Sequence, residues 1–266
     1  MLLSSTDAVL NIISLLERKG KRLCDLTGYD IDIGQGLNLS KTFIVKSDVF
    51  GKFPFLKNKL IPFMTSDDTA QFAITGTVGF IIDKSKLEDK QIRKINDAGI
   101  SIFDPNSTSK LRPILILPRG VSRHFCALNL ISAYSASAVD IYDKSKTLSE
   151  DMKLNIWVFL NSSIAWLLRE ITGRKSLGGG LLKAEASDLR EMPIYFDFNQ
   201  PAKVSKIYDN LRKRAVLPTI EEIKTQEHKE IDKIVFNYLN MSNAQQNEAV
   251  ELLIKHISAR TTKART

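Results

Sequence analysis

The stretch Thr147–Gly173, TLSEDMKLNIWVFLNSSIAWLLREITG, governs how the rest of the chain is read. Trp157, Leu160, Ile164, Leu167, Leu168 and Ile171 recur at the three- and four-residue intervals that place side chains on one face of a helix. Thr147 and Glu150 have capping-box spacing, in which the hydroxyl accepts from the N3 amide and the carboxylate reaches back, and Gly173 supplies a stop. The spacing predicts one helix over 148–172, apolar enough to brace a core.

Upstream of that brace the pattern changes. Short apolar runs at Phe43–Val45, Leu60–Met64, Gly79–Ile82, Ile114–Leu117 and Val139–Tyr142 are separated by Gly, Pro, Asn, Asp and Ser, the chemistry of strands and turns. Before them Val9, Leu10, Ile12, Ile13, Leu15 and Leu16 predict an amphipathic helix over about 7–18, stopped near Gly20.

Downstream lies a glycine loop at Gly178–Gly180, then a turn or short helix over Glu185–Arg190. Met192–Phe196 reads as extended, because a residue before proline avoids the helical region. The remainder reads as helices: one through Val204, Ile207 and Leu211, and one opened by Thr219-Ile-Glu-Glu222 with Ile231, Ile234, Val235, Tyr238 and Leu239 on one face. The last is opened by Ser242-Asn-Ala-Gln245, with Val250, Leu253, Ile254 and Ile257 inward. The expected fold class is α+β: an irregular β-rich region over 1–200 braced by helices, then a helical C-terminal segment over 201–266.

Composition agrees with a globular protein. Of 266 residues 43% are apolar and 26% charged, which excludes disordered and fibrous chains. Cys24 and Cys126 are expected to be buried free thiols in a reduced compartment. The N-terminal apolar run is interrupted by Asp7 and Asn11 and followed by its basic residues, so neither a secretory leader nor a membrane span is expected, and the chain is read as cytoplasmic. Lys and Arg outnumber Asp and Glu by 38 to 30, and a net charge of +8 favours a polyanionic partner.

Two stretches concentrate that charge without any acid: Lys110–His124 (KLRPILILPRGVSRH) and Arg174–Lys183 (RKSLGGGLLK). In the first, Lys110 and Arg112 precede an apolar run, and Arg119, Arg123 and His124 flank Gly120 in an expected loop. Guanidinium groups there suit phosphates or the O6 and N7 atoms of guanine. Tyr134 and Ser135 suit close approach to a nucleic-acid backbone or base edge. Arg174, Lys175 and Lys183 surround Gly179, whose neighbourhood lets backbone amides approach a phosphate.

Enzyme chemistry finds no such support. There is no G-x-x-x-x-G-K-[ST] loop and no G-x-S-x-G elbow, and the glycine run follows a helix where a Rossmann-type turn must follow a strand. His124, His228, His256 and the two cysteines never fall at metal-ligand spacing, and His228 and His256 are expected to face solvent. The triplets Glu88-Asp-Lys90 and Glu222-Ile-Lys224 read as solvated helix faces.

Several strings resemble one family, the TaqI-like target-recognition (specificity) domain at the C-terminal end of N6-adenine DNA methyltransferases and their type II (IIG) restriction-modification fusions. Leu23-Cys-Asp-Leu26 followed by Ile33-Gly-Gln-Gly-Leu-Asn38 resembles the family's opening helix and entry strand. Trp157-Val-Phe-Leu-Asn-Ser-Ser163, Gly178-Gly-Gly-Leu-Leu-Lys183, Asp188-Leu189 and Met192-Pro-Ile194 resemble its asparagine-serine helix, glycine loop, lysine and proline-isoleucine sequence. The run from Glu230 to Lys263 is similar to its helical ending.

The family's catalytic asparagine-proline-proline-aromatic motif and its methyl-donor site are absent. The resemblance therefore implies a double-stranded DNA recognition domain without catalysis of its own, either a fragment or a separate subunit. It would act with a catalytic methyltransferase domain or subunit that carries S-adenosylmethionine. A different reading of the same features is a protein-interaction module that docks on such a subunit, with its net charge incidental.

Overall fold

The computed structural model describes residues 2–39, 43–45, 47–64, 71–75, 79–175, 180–194 and 197–262. Helix α1 (Leu2–Lys19) leads into strand β1 (Ile31–Gln35). Then come α2 (Ser47–Lys52), β2 (Leu60–Met64), β3 (Ala73–Ile74), β4 (Gly79–Ile82) and α3 (Asp89–Asp97). Five short strands follow: β5 (Leu115–Leu117), β6 (Gly120–Val121), β7 (Ala127–Asn129), β8 (Tyr134–Ser135) and β9 (Val139–Asp143). After α4 (Glu150–Leu160) and α5 (Ser163–Thr172) come β10 (Leu182–Lys183) and α6 (Ala186–Glu191). The chain closes with α7 (Pro201–Leu211), α8 (Thr219–Glu222), α9 (Gln226–Leu239) and α10 (Asn243–Thr262). The fold is α+β.

The strands form a five-stranded sheet in the order β1-β9-β5-β7-β3, a three-stranded sheet β4-β2-β8 and the ribbon β10-β6. β1 lies antiparallel to β9 and β9 antiparallel to β5, whereas β3 pairs parallel with β7 and β2 parallel with β8. The two larger sheets meet where Leu37 N–H donates to Ser135 O at 2.8 Å and Asn38 N–H to Ala136 O at 2.6 Å. Gly36 sits at that crossing, and a Cβ there would collide with the Ser135 backbone.

The brace differs from its prediction in one respect: it is two helices. Asn161 ends α4, and its amide ties the helix to the residue before β7, its Oδ1 accepting from Cys126 N at 2.8 Å and its Nδ2 donating to Cys126 O at 3.0 Å and to Trp157 O at 2.9 Å. Ser162 then caps α5 by accepting from Ala165 N, and Asp232 Oδ1 accepts from Ser163 N at 2.7 Å. Apolar periodicity runs across the break because both helices lie in the same core. Ile156–Leu160 and Ile164–Leu167 are essentially solvent-free. Each such large side chain contributes about 1.5–3 kcal/mol. Trp157 and Trp166 satisfy their indole N–H groups on Phe72 O and Leu160 O, both at 3.1 Å.

Other boundaries moved for local reasons. The first cap is Ser149, accepting from Met152 N, in place of Thr147, whose hydroxyl instead meets Ser145. Pro218 stands at the start of the short α8, and Thr225 caps α9 by accepting from His228 N at 3.2 Å. The Ser242–Gln245 box is present at the last helix. Phe43–Val45 is not a strand, β1 was missed by periodicity, and α2 and α3 interrupt the β-rich region. α1 begins at Leu2, five residues before its predicted start.

The largest apolar cluster runs from Ile12 and Leu16 on α1 through α4 and α5 to Leu253 and Ile257 on α10, so residues 201–262 share a core with the preceding region. Smaller clusters lie under the β4-β2-β8 sheet and beneath α3. Cys126 is buried and Cys24, contrary to expectation, exposed; both are free. Among the described residues no helix is long and apolar enough to cross a membrane.

Candidate nucleic-acid interface

β1 is the edge strand of the large sheet, and its last residue, Gln35, stands where that sheet meets α6 and the β6–β10 ribbon. Lys110 covers the end of the strand, its Nζ donating to Gln35 O at 2.5 Å and Gly36 O at 2.6 Å. The Gln35 side chain reaches the other way and donates from Nε2 to Glu185 Oε2 at 3.0 Å.

Glu185 is brought there by backbone pairing. Lys183 lies opposite Gly120, and Ala184 N–H donates to Arg119 O at 2.9 Å, which sets Arg119 and Glu185 side by side. Arg119 meets the carboxylate with two hydrogen bonds, Nε to Oε2 at 2.8 Å and Nη2 to Oε1 at 3.1 Å, and Lys183 Nζ lies 2.7 Å from Oε1. Arg119 and Lys183 together hold the Glu185 carboxyl well below its ordinary range, to about 2, so it is ionised throughout the physiological range.

Arg174 exchanges two backbone hydrogen bonds with Lys183, both at 2.9 Å. A cleft of about 430 Å³ opens beside it, lined by Gly34, Gln35, Arg174, Glu185, Ser187 and Arg190 among others. Arg190 and Lys144 share Asp32 at 3.3 and 3.2 Å, so this acid offsets part of the charge on the rim. The Arg174 guanidinium is exposed and makes no hydrogen bond or ion pair with the described residues.

Of the residues expected to bind, Lys110, Arg119, Arg174 and Lys183 thus converge on the surroundings of Gln35 and Glu185. Arg112 lies nearby over the ring of Tyr134, 5.5 Å from its centroid, but Tyr134 and Ser135 are buried. Ser135 Oγ donates to both oxygens of Asp140 at 2.8 Å, and Tyr142 OH donates at 3.0 Å. Burial pushes the Asp140 carboxyl up to about 7 against these hydrogen bonds and the charge of Lys110.

Arg123 points elsewhere, donating to Val216 O at 2.8 Å. His124 is not in an exposed loop: it is fully buried, its Nε2 is 2.9 Å from Glu170 Oε1, and its ring stacks on Trp166. The neighbouring strand β7 and helix α5 close over it because Cys126, two residues on, is tied to Asn161. Burial holds this imidazole down at about 4, against the pull of Glu170. Lys175 Nζ donates to His256 Nδ1 at 2.8 Å, and Gly179 lies outside the described residues. His228, expected on the surface, is buried against Ser163 and Trp166, and His256 is half-buried.

Sequence reasoning missed Gln35, Glu185 and Arg190. Gln35 and Arg190 carry no distinguishing pattern. Glu185 had one available signal: it is the first acid after the acid-free stretch and stands two residues from Lys183, the spacing that returns to the same face of an extended strand.

The arrangement presents cations and polar groups around a carboxylate that is ionised and already occupied by cations. Among the described residues no group of three or more His, Cys, Asp or Glu is placed to hold a metal ion. A methyl-donor pocket needs a glycine turn between a first parallel strand and a helix. Here β1 is antiparallel to β9 and leads into an irregular stretch in which Asn38 is left-handed, so these residues do not fit that group.

No protein-family model matches the chain, and no curated protein matches it either. Solved structures do match. The type IIG restriction endonuclease BpuSI superposes with a TM-score of 0.69 at 13% identity, over 99% of this chain and 34% of that one. The type IIL restriction-modification enzyme MmeI, solved in complex with DNA, superposes with a TM-score of 0.51 at 13% identity, over 91% of this chain and 37% of that one. The chain spans about a third of the length of these two solved chains, and what it shares with them is a fold.

Proposed function

We propose that the chain is a sequence-specific recognition module for double-stranded DNA in a restriction-modification adenine-N6 methyltransferase system. In this reading the methyl transfer is performed by a catalytic domain or subunit that carries S-adenosylmethionine. The observation that carries the proposal is the convergence of Lys110, Arg119, Arg174 and Lys183, drawn from two acid-free stretches, around Gln35 and Glu185, which line the cleft together with Arg174. The fold shared with two restriction-modification enzymes, one of them solved on DNA, supports the same reading.

Cations at such an edge do two kinds of work: phosphate contacts set position, and contacts to base edges carry sequence. Arg174, exposed and unpaired among the described residues, suits a phosphate. Arg119 and Gln35, both fixed by one carboxylate, suit base edges. Selection from a randomised duplex library at about 150 mM salt, where non-specific binding is weak, is expected to enrich one short motif. Uniform recovery, or none, would overturn the proposal.

A further inference from the structure

A guanidinium carries five N–H groups in one rigid plane. Arg119 uses two of them side-on against Glu185, through Nε and Nη2. The end-on fork, formed by Nη1 and the second Nη2 hydrogen, has no partner among the described residues, and the side chain keeps 29% of its exposure. That fork matches the O6 and N7 acceptors that guanine presents in the major groove. Gln35 is fixed by the same carboxylate through Nε2, which leaves its Oε1 as an acceptor without a partner among the described residues. An acceptor beside a guanidinium fork complements an exocyclic amino group next to a guanine edge, the pattern of a G·C pair.

We propose that Arg119 reads a guanine edge, that the Gln35 amide oxygen accepts from the adjacent amino group, and that Glu185 is the positioning residue for both. The inference rests on the DNA-recognition reading and names the base pair read at that cleft. Glu185 acts through pre-organisation: an arginine already held in one rotamer loses less freedom on binding and cannot swing to a neighbouring phosphate. Arg174, with no such support, contributes charge without base preference.

The test uses the full chain and the duplex most enriched from a randomised library by the wild-type protein. Each base pair of the motif is replaced in turn, and affinities are measured at about 150 mM salt. For the wild type, one G·C pair is expected whose replacement weakens binding about tenfold or more. E185Q is expected to lose that discrimination at that pair alone while holding or slightly raising affinity for the replaced duplex, because a negative charge has gone. R119A is expected to lose discrimination at the same pair.

α6 opens with a capping box of Glu185 and Asp188, and D188A breaks the half in which Asp188 Oδ2 accepts from Glu185 N at 2.8 Å, without touching Arg119. It is expected to keep the discrimination, which separates positioning from the folding of α6. A motif without a G·C pair, an E185Q protein whose discrimination stays within about twofold of wild type, or an equal loss for all duplexes would overturn the inference and leave DNA recognition standing. A library with no enriched motif would overturn DNA recognition itself, and this inference with it.

Discussion

Glu170 and Glu185 hold their arginines with the same two-point geometry in opposite surroundings. In the interior, Arg260 meets Glu170 through Nε at 3.2 Å and Nη2 at 2.7 Å, and His124 adds a third contact. At the rim, Arg119 meets Glu185 through the same two nitrogens, with Lys183 and Gln35 beside it. The interior side chains are 2% and 0% exposed, those at the rim 29% and 11%.

The consequences diverge with the dielectric. Arg260 also donates to Val121 O and Gly180 O, so the interior guanidinium has its donors committed to α5, β6 and the end of the glycine loop. The buried pair is therefore a matter of folding, since either partner left alone would be an uncompensated charge away from water. Water and counterions can take over at the rim, so that pair contributes little to stability and is available for recognition.

Removing one carboxylate from each pair probes this directly. E170A is expected to cost about 3–5 kcal/mol, read as a shift in the denaturant midpoint, whereas E185Q costs under about 1 kcal/mol. Equal losses would break the comparison.

Acid sharpens it. Burial pushes Glu170 up, but the hydrogen bonds from His124 and Arg260 prevail and hold it at about 2, while burial holds His124 at about 4. Both groups bind fewer protons folded than unfolded, so their stabilisation is complete above about pH 6.5. It is lost on acidification, first between 6.5 and 4 for the histidine, then between 4.5 and 2 for the carboxylate. The histidine's part comes from its burial and the carboxylate's from its hydrogen bonds, so the two fall in separate windows. With the opposing slope of Asp140 removed by D140N, denaturant midpoints measured against pH should show this fall, and adding E170A should abolish the part between 4.5 and 2 while keeping the part due to burial of the histidine.

Asp140 supplies the opposite sign, being a carboxylate buried among hydroxyls with no cation bonded to it among the described residues. Its folded value of about 7 lies above the ordinary 3.8, so the folded state binds the extra proton. Its contribution is present below about pH 3.8 and is lost as pH rises through 7. D140N is expected to raise stability at pH 8 relative to wild type and to remove the slope between pH 4 and 7. The smallest expected effect belongs to Arg174: R174A should leave stability unchanged and lower the salt dependence of duplex binding by roughly one phosphate contact, a slope change of about 0.9.

Legibility followed the range of the interactions. The brace, the C-terminal helices and strands β2, β4, β5 and β9 were legible because apolar period and turn residues are local. The break at Asn161 was not, since it depends on Cys126, 35 positions away and just before β7, which offers its N and O to the amide. His124 and Arg119 occupy one basic stretch five positions apart, yet one meets the buried Glu170 and the other the rim Glu185. Nothing in the stretch itself distinguishes them.

By itself, the sequence determined the fold class, the helical brace, the helical ending and two acid-free stretches rich in cations, all of which follow from composition and spacing along the chain. Only the tertiary structure decided which cations face solvent and which serve the core. That choice depends on where a carboxylate from a distant segment comes to lie, and on whether water can reach the pair once it has formed.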